Sequence, residues 1–162
     1  MKSVISASRR TYIPAFYMEW FMACITRGSF DVVNPFNRRM RHVPATTQDV
    51  HTIVFWSKNF GPFIAGRYGE RLEEAGYHLF FNFTLNSACA AIEPRMPPLA
   101  DRLIQLTYVC KQFDVRTVNW RFDHICFFSV DGGEVQNNLN DFLCIADKAA
   151  TLGIRICITS FL

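Results

Sequence analysis

Short apolar runs alternate with amphipathic segments along the chain, and this alternation most restricts the folds available to it. The segments between the runs carry apolar residues three or four positions apart, most regularly over 99–113, which predicts helices. Strands separated by helices of this length predict βαβ units and a mostly parallel sheet. The predicted strands are 3–7, 30–34, 52–56, 77–85, 115–120 and 154–158, and the other predicted helices are 15–27, 60–75 and 135–149.

Two α/β architectures fit this order, a doubly wound open sheet and a (β/α) barrel. No Gly-x-Gly-x-x-Gly follows the first strand, which disfavours the dinucleotide-binding form of the open sheet. A complete barrel needs about eight strands and roughly 250 residues. The 162 residues therefore predict a single domain over 1–162, an incomplete, TIM-barrel-like (β/α) barrel of about six mostly parallel strands. We expect it to be the N-terminal part of a longer protein.

The predicted sixth strand is apolar and has no covering helix after it. An exposed strand edge is a site for pairing with another chain. We therefore expect self-association of this chain.

Composition indicates a globular domain without a membrane span. Half of the residues are apolar and 19% are charged, and the longest uncharged run, 75–92, contains His78 and several Asn, Ser and Thr, which are too polar for lipid. The N-terminus reads MKSVISASRR and lacks the apolar core of about 7–15 residues found in secretory signals. We expect a cytoplasmic protein.

Positive charge is concentrated near the N-terminus. Residues 1–41 hold seven Lys and Arg against two acidic residues, a net charge of +5, whereas the remainder has a net charge of −2. Thirteen of the seventeen cations are Arg, which suits bidentate binding of carboxylate or phosphate. These features predict a small anionic ligand, with a solvated basic face as the alternative. Nucleic acid is not expected, because its binding needs a longer basic stripe.

Polar residues follow successive predicted strands, where the active sites of parallel βα folds lie. We therefore predict one pocket at this end of the sheet, although some of these residues, Asn59 among them, also suit caps of the following helices. The residues predicted to bind substrate or an anion are Ser8, Arg9, Arg10, Asn34, Lys58, Asn59 and Thr84.

Arg121 and Asp123 are the candidate catalytic residues. They lie two positions apart, so both point to one face of a continuing strand. Either they pair with each other, or one orients a substrate while the other handles a proton. His124 would face the other way and is predicted to be structural. Lys58 either holds an anion or extends its charge into solvent.

The six cysteines are scattered, with gaps of 13 to 65 residues and no Cys-x-x-Cys pair. Metal and iron–sulfur sites usually draw on closely spaced pairs or triplets. The spacing therefore predicts small buried hydrophobic side chains and no metal site.

Several segments, in order along the whole chain, resemble a bacterial family of unknown function, family 1848. The resemblance implies a relative of radical S-adenosylmethionine enzymes. Members of the family carry a cysteine cluster near the C-terminus, and this cluster resembles the one that binds a [4Fe–4S] centre in those enzymes. The segments are 6–11 (SASRRT), 13–17 (IPAFY), 33–37 (VNPFN), 54–59 (VFWSKN), 83–85 (FTL), 93–94 (EP) and 120–123 (WRFD).

The chain departs from the family pattern at two places. Tyr12 stands where the family usually has Asp, and no segment corresponds to the C-terminal cysteine cluster. The resemblance thus implies a [4Fe–4S] cluster and S-adenosylmethionine for a full-length relative, and neither on this chain. The first hypothesis is a radical-S-adenosylmethionine-like enzyme whose barrel pocket this chain supplies. The alternative is a non-catalytic anion or nucleotide-phosphate binding module, or a truncated inactive relative.

The cysteine spacing predicts that the chain, purified without oxygen, is colourless and free of iron, because its cysteines are too scattered to form a cluster site. Iron analysis and the visible absorption spectrum check it. Stoichiometric iron with a broad visible band would contradict the interpretation of the cysteine spacing.

Overall fold

The computed structural model describes residues 2–7, 11–34 and 36–161. Three predicted pocket residues, Ser8, Arg9 and Arg10, lie outside the described residues. The elements are β1 (Ser3–Ala7), α1 (Ile13–Phe16), α2 (Met18–Arg27), β2 (Ser29–Val33), β3 (Met40–Pro44), β4 (Val50–Ser57), α3 (Gly61–Ala65), α4 (Tyr68–Glu74), β5 (His78–Thr84), α5 (Leu99–Phe113), a 3-10 turn (Val115–Thr117), β6 (Val118–Ile125), β7 (Phe127–Phe128), β8 (Gln136–Asn137), α6 (Phe142–Leu152) and β9 (Cys157–Phe161).

The main sheet has five strands in the order β1-β4-β5-β6-β9, and every neighbouring pair is parallel. The sheet curls into half of a barrel. Because all five strands run the same way, their carboxyl ends meet at one rim. The parallel α/β fold predicted from the sequence is confirmed.

The predicted second strand does not belong to this sheet. β2 pairs antiparallel with β3 in a separate two-stranded hairpin, so the described residues form five parallel strands, where about six were predicted. Only six residues separate the two strands, which suits an antiparallel hairpin, whereas parallel strands need a long crossover. The Asn34 backbone N–H donates to the Arg39 carbonyl and closes the turn.

Three predicted helices differ from the observed ones in their bounds. The segment 15–27 is divided at Tyr17 into α1 and α2, and 60–75 is divided at Gly66 and Arg67 into α3 and α4. The third, 135–149, begins only at Phe142, because the residues before it form β8 and a turn in which Asn137 Oδ1 accepts the Leu139 N–H at 3.0 Å.

The helices cover the outer face of the sheet with a core of aromatic rings. Phe55 and Phe81 are fully buried, and Phe63 from α3 lies edge-on to both of them, with ring centroids 5.1 and 5.8 Å away. The predicted strands read as apolar on both faces, but the inner face is only partly covered. It carries polar side chains such as Asn119 and Arg121. This partly exposed inner face leads to the carboxyl ends of the strands.

Within the described residues, no helix is long and apolar enough to cross a membrane.

Removing the Phe81 ring tests the aromatic core. Phe81→Ala leaves a cavity among four packed rings and should lower the free energy of unfolding by about 3–5 kcal/mol. Denaturant titration measures it. Phe36→Ala is the control because this side chain is 97% exposed, and it should change the stability by less than about 0.5 kcal/mol. Equal losses in the two variants would contradict this packing.

Candidate functional site

A cavity of about 330 Å³ opens at the carboxyl ends of β4, β5 and β6. Its position matches the predicted pocket, since the three strands end at the same rim of the half-barrel. Eight of the described residues lie on its wall: Tyr12, Trp56, Ser57, Lys58, Thr84, Arg121, Asp123 and His124.

Arg121 and Asp123 form an ion pair on the cavity wall. Arg121 Nη2 lies 2.6 Å from Asp123 Oδ2, and the two side chains are 17% and 15% exposed. The guanidinium carbon lies 4.8 Å from the centroid of the Trp56 ring, a cation–π contact. Of the two alternatives left open by the sequence, the structure shows the pairing.

Two further side chains fix Asp123. Its Oδ1 accepts a hydrogen bond from the Ser160 hydroxyl on β9. The Asn86 amide, directly beyond β5, bonds the backbone N–H and carbonyl of Asp123 at 2.9 and 3.0 Å. Burial alone would raise the pKa of the Asp123 carboxyl, but the hydrogen bonds from Ser160 and Arg121 and the charge of Arg121 hold that pKa below its usual value. Asp123 is therefore a fixed carboxylate.

His124 also lies on the cavity wall, so the prediction that it faces away is wrong. The pairing register between β6 and β9 shifts between Phe122 and Ile125, and the strict alternation of a strand does not continue past that point. His124 Nδ1 lies 2.8 Å from Ser160 Oγ. The buried Asn138 amide donates to the His124 carbonyl at 2.8 Å and so holds this stretch of backbone.

Lys58 forms an ion pair with Glu93, and both side chains are largely buried. The sequence predicted that Lys58 either holds an anion or extends into solvent, and this carboxylate partner was not foreseen. Glu93 belongs to the irregular connection between β5 and α5. It lines an adjoining cavity of about 210 Å³, on whose wall Lys58 and Tyr12 also lie. Lys58 thus stands between the two cavities.

The other predicted pocket residues fall into two groups. Thr84 lies on the wall of the 330 Å³ cavity. Asn59 and Asn34 do not, and both have local structural roles. Asn59 Oδ1 accepts the Gly61 N–H at 2.9 Å, at the start of α3, and Asn34 Oδ1 accepts the Phe36 N–H at 2.9 Å, in the turn between β2 and β3. The structure therefore brings together Lys58, Thr84, Arg121 and Asp123.

A buried cation, Arg102, contacts Asn86, the residue that holds the Asp123 backbone. Arg102 is 1% exposed and donates to the Asn86 carbonyl at 3.2 Å, while its Nε and Nη1 have no hydrogen-bond partner among the described residues. Burial lowers the pKa of Arg102, opposed by the negative charges of Glu93 and Asp141. A desolvated guanidinium adds positive potential on this side of the sheet.

Only some of the cysteines are buried as predicted. Cys24 and Cys110 are buried, and burial raises the pKa of the Cys110 thiol to about 11, whereas Cys144 and Cys157 are exposed. In residues 2–7, 11–34 and 36–161, no group of three or more Cys, His, Asp or Glu side chains is placed to hold a metal ion.

Comparison with known proteins gives one match. The model of the family described as Domain of unknown function (DUF1848) matches residues 4–162. No curated protein and no solved structure matches the chain.

Replacing the fixed carboxylate tests the site's electrostatics. Because the folded-state pKa of Asp123 lies below the unfolded value near 3.8, its contribution is present above that pH and is lost as the pH falls through the folded pKa. Asp123→Asn should lower the free energy of unfolding by about 1–3 kcal/mol at neutral pH. This difference from wild type should shrink below pH 3.8.

Denaturant titrations from pH 2 to pH 7, an interval that spans the unfolded-state pKa near 3.8, measure this difference. Asp114→Asn is the exposed comparison. Hydrogen bonds with Arg116 also lower the pKa of Asp114, but this pair is highly exposed and solvent weakens it, so its effect on stability should be smaller. A pH-independent difference for Asp123→Asn would contradict the charged state of this carboxylate.

Proposed function

The chain belongs to the DUF1848 family, and we propose that it supplies the substrate pocket of a (β/α)-barrel enzyme resembling radical S-adenosylmethionine enzymes. The observation that carries the proposal is the Arg121–Asp123 pair on the wall of a cavity at the carboxyl ends of parallel strands. Active sites of parallel βα folds lie at that rim. In the proposal, the half-barrel belongs to a TIM-like barrel.

The ligand proposed for this pocket is a small molecule with a carboxylate or phosphate group. The described residues of the cavity wall include two cations, Lys58 and Arg121, and one carboxylate, Asp123. Among the described residues, Arg121 donates a hydrogen bond only through Nη2. Its other N–H groups can donate to the oxygens of a planar carboxylate or of a phosphate. Thr84 adds a hydroxyl to the same wall.

Arg9 and Arg10 add to this proposal from the sequence alone. They follow β1 directly, and the carboxyl end of β1 lies at the same rim as the ends of β4 and β6 because these strands are parallel. We propose that they and Ser8 complete the anion site.

The [4Fe–4S] cluster of the resemblance does not fit the residues that the structure describes. A cluster needs several thiolates at one place, and no such group occurs in the described segments. No residue of this chain is therefore assigned to the cluster or to S-adenosylmethionine, and no reaction step is derived through them. Arg121 and Asp123 are assigned the binding and orientation of the substrate.

Glu93 competes with the ligand for Lys58 in this proposal. Its carboxylate forms an ion pair with the Lys58 ammonium group on the wall of the adjoining cavity. An incoming anion therefore has to bind Lys58 together with Glu93 or displace Glu93 from it. Tyr12, where the family pattern usually has Asp, lies on the walls of both cavities. A phenol therefore stands beside Lys58 where the family pattern has a carboxyl group.

Inorganic phosphate and sulfate should stabilise the native chain through this pocket. At about 100 times the dissociation constant, one bound anion raises the free energy of unfolding by about 2.7 kcal/mol. Arg121→Ala should remove most of this stabilisation. Thermal unfolding at increasing phosphate concentration measures it, with sodium chloride at the same ionic strength as the salt control.

Two further variants sharpen the test. Arg116→Ala is the matched control, because Arg116 is an exposed arginine paired with Asp114 outside the cavity, and it should keep the full phosphate response. Glu93→Gln should strengthen phosphate binding by releasing Lys58. A phosphate response that survives Arg121→Ala intact would overturn the proposed site.

A further inference from the structure

The orientation of the His124 ring on the cavity wall is fixed by a series of three hydrogen-bonded side chains, those of Ser160, Asp123 and Arg121. His124 Nδ1 lies 2.8 Å from Ser160 Oγ, and the Ser160 hydroxyl is hydrogen-bonded to Asp123 Oδ1. The Asp123 carboxylate in turn accepts a hydrogen bond from Arg121 Nη2. His124 itself is 53% exposed at its side chain and borders the cavity.

When the His124 ring is neutral, the protons of these hydrogen-bonded side chains have one consistent arrangement. Two oxygens within hydrogen-bonding distance need a proton between them, and an ionised carboxylate has none to give, so the Ser160 hydroxyl donates to Asp123. A hydroxyl has a single proton, so Ser160 Oγ acts as an acceptor towards His124. The neutral His124 ring therefore carries its proton on Nδ1, which leaves the lone pair on Nε2.

We infer that His124 is the proton acceptor of this pocket, presenting the Nε2 lone pair to a ligand bound beside Arg121. The inference deepens the proposed function and rests on the same cavity. An O–H or N–H bond of the ligand breaks, its electron pair stays on the ligand, and the proton bonds to Nε2. The imidazolium then passes that proton to water.

The surroundings balance the charge of that imidazolium. Asp123 Oδ1 lies 3.5 Å from His124 Nδ1 and places a negative charge near the ring, whereas Arg121 and Lys58 place positive charges on the same wall. An anionic ligand offsets the two cations. Ser160 is a positioning residue, because it acts on the ligand only through His124 or Asp123.

The orientation of the ring has a spectroscopic signature that does not depend on any ligand. Histidine ring 15N spectra of the 18.7 kDa chain distinguish the two neutral forms, and His124→Gln assigns the signal among the four histidines. We expect the proton on Nδ1 in wild type and in Ser160→Thr, which keeps the hydroxyl. Ser160→Ala should lose this preference. A proton on Nε2 in wild type, or an unchanged form in Ser160→Ala, would overturn the inference.

Alkylation tests the exposed lone pair. With bromoacetate, Nε2 bonds to the methylene carbon, the carbon–bromine bond breaks, bromide leaves and the Nδ1 proton passes to water. We expect peptide mass spectrometry to find His124 modified at Nε2, about tenfold faster by bromoacetate than by neutral bromoacetamide. Arg121→Ala should remove that difference.

The two reagents separate the inference from the proposed function. Modification of His124 at Nε2 at equal rates by both reagents would support the proton acceptor and contradict the anion site. No modification at Nε2 by either reagent, while an exposed histidine such as His42 reacts, would overturn the proton acceptor. A faster reaction with bromoacetate supports both.

Discussion

The hydrogen-bonded Asp123 carboxylate is the interaction on which the rest of the site depends. It accepts hydrogen bonds from Arg121 on its own strand and from Ser160 on β9. The Asn86 side chain, beyond β5, forms hydrogen bonds with the Asp123 backbone. Three neighbouring strands of the sheet thus meet at one residue. Because a carboxylate that is nearly out of solvent is stable only with donors around it, these partners also fix where Arg121 and His124 face.

The order of elements explains which parts of the molecule were predictable from sequence. Hydrophobic periodicity predicted the parallel βα order, and the two-residue spacing predicted that Arg121 and Asp123 share a face. The β2–β3 hairpin was missed because an apolar run has the same pattern in either sheet, and only the short connection to β3 separates the two outcomes. The start of α6 was predicted too early for a similar reason, because the helical spacing of apolar residues continues through the segment that forms β8.

The missed site residues depend on features that have no local sequence pattern. His124 faces the cavity where the β6–β9 register shifts, and a register shift depends on the partner strand. Glu93 reaches Lys58 from 35 positions away through an irregular connection, whose path periodicity does not describe. Both residues alter the chemistry of the pocket, because one adds a proton acceptor and the other neutralises a cation that the sequence left free.

The central claim is that an anion binds where Arg121 and Lys58 share a cavity at the rim of the half-barrel. A crystal of the protein soaked in selenate tests it most directly, because the anomalous signal of selenium locates the anion. The account predicts the strongest anomalous peak within hydrogen-bonding distance of the Arg121 guanidinium, on the cavity side of Trp56. Selenate sites found only elsewhere on the surface, with this cavity empty at saturating concentration, would contradict it.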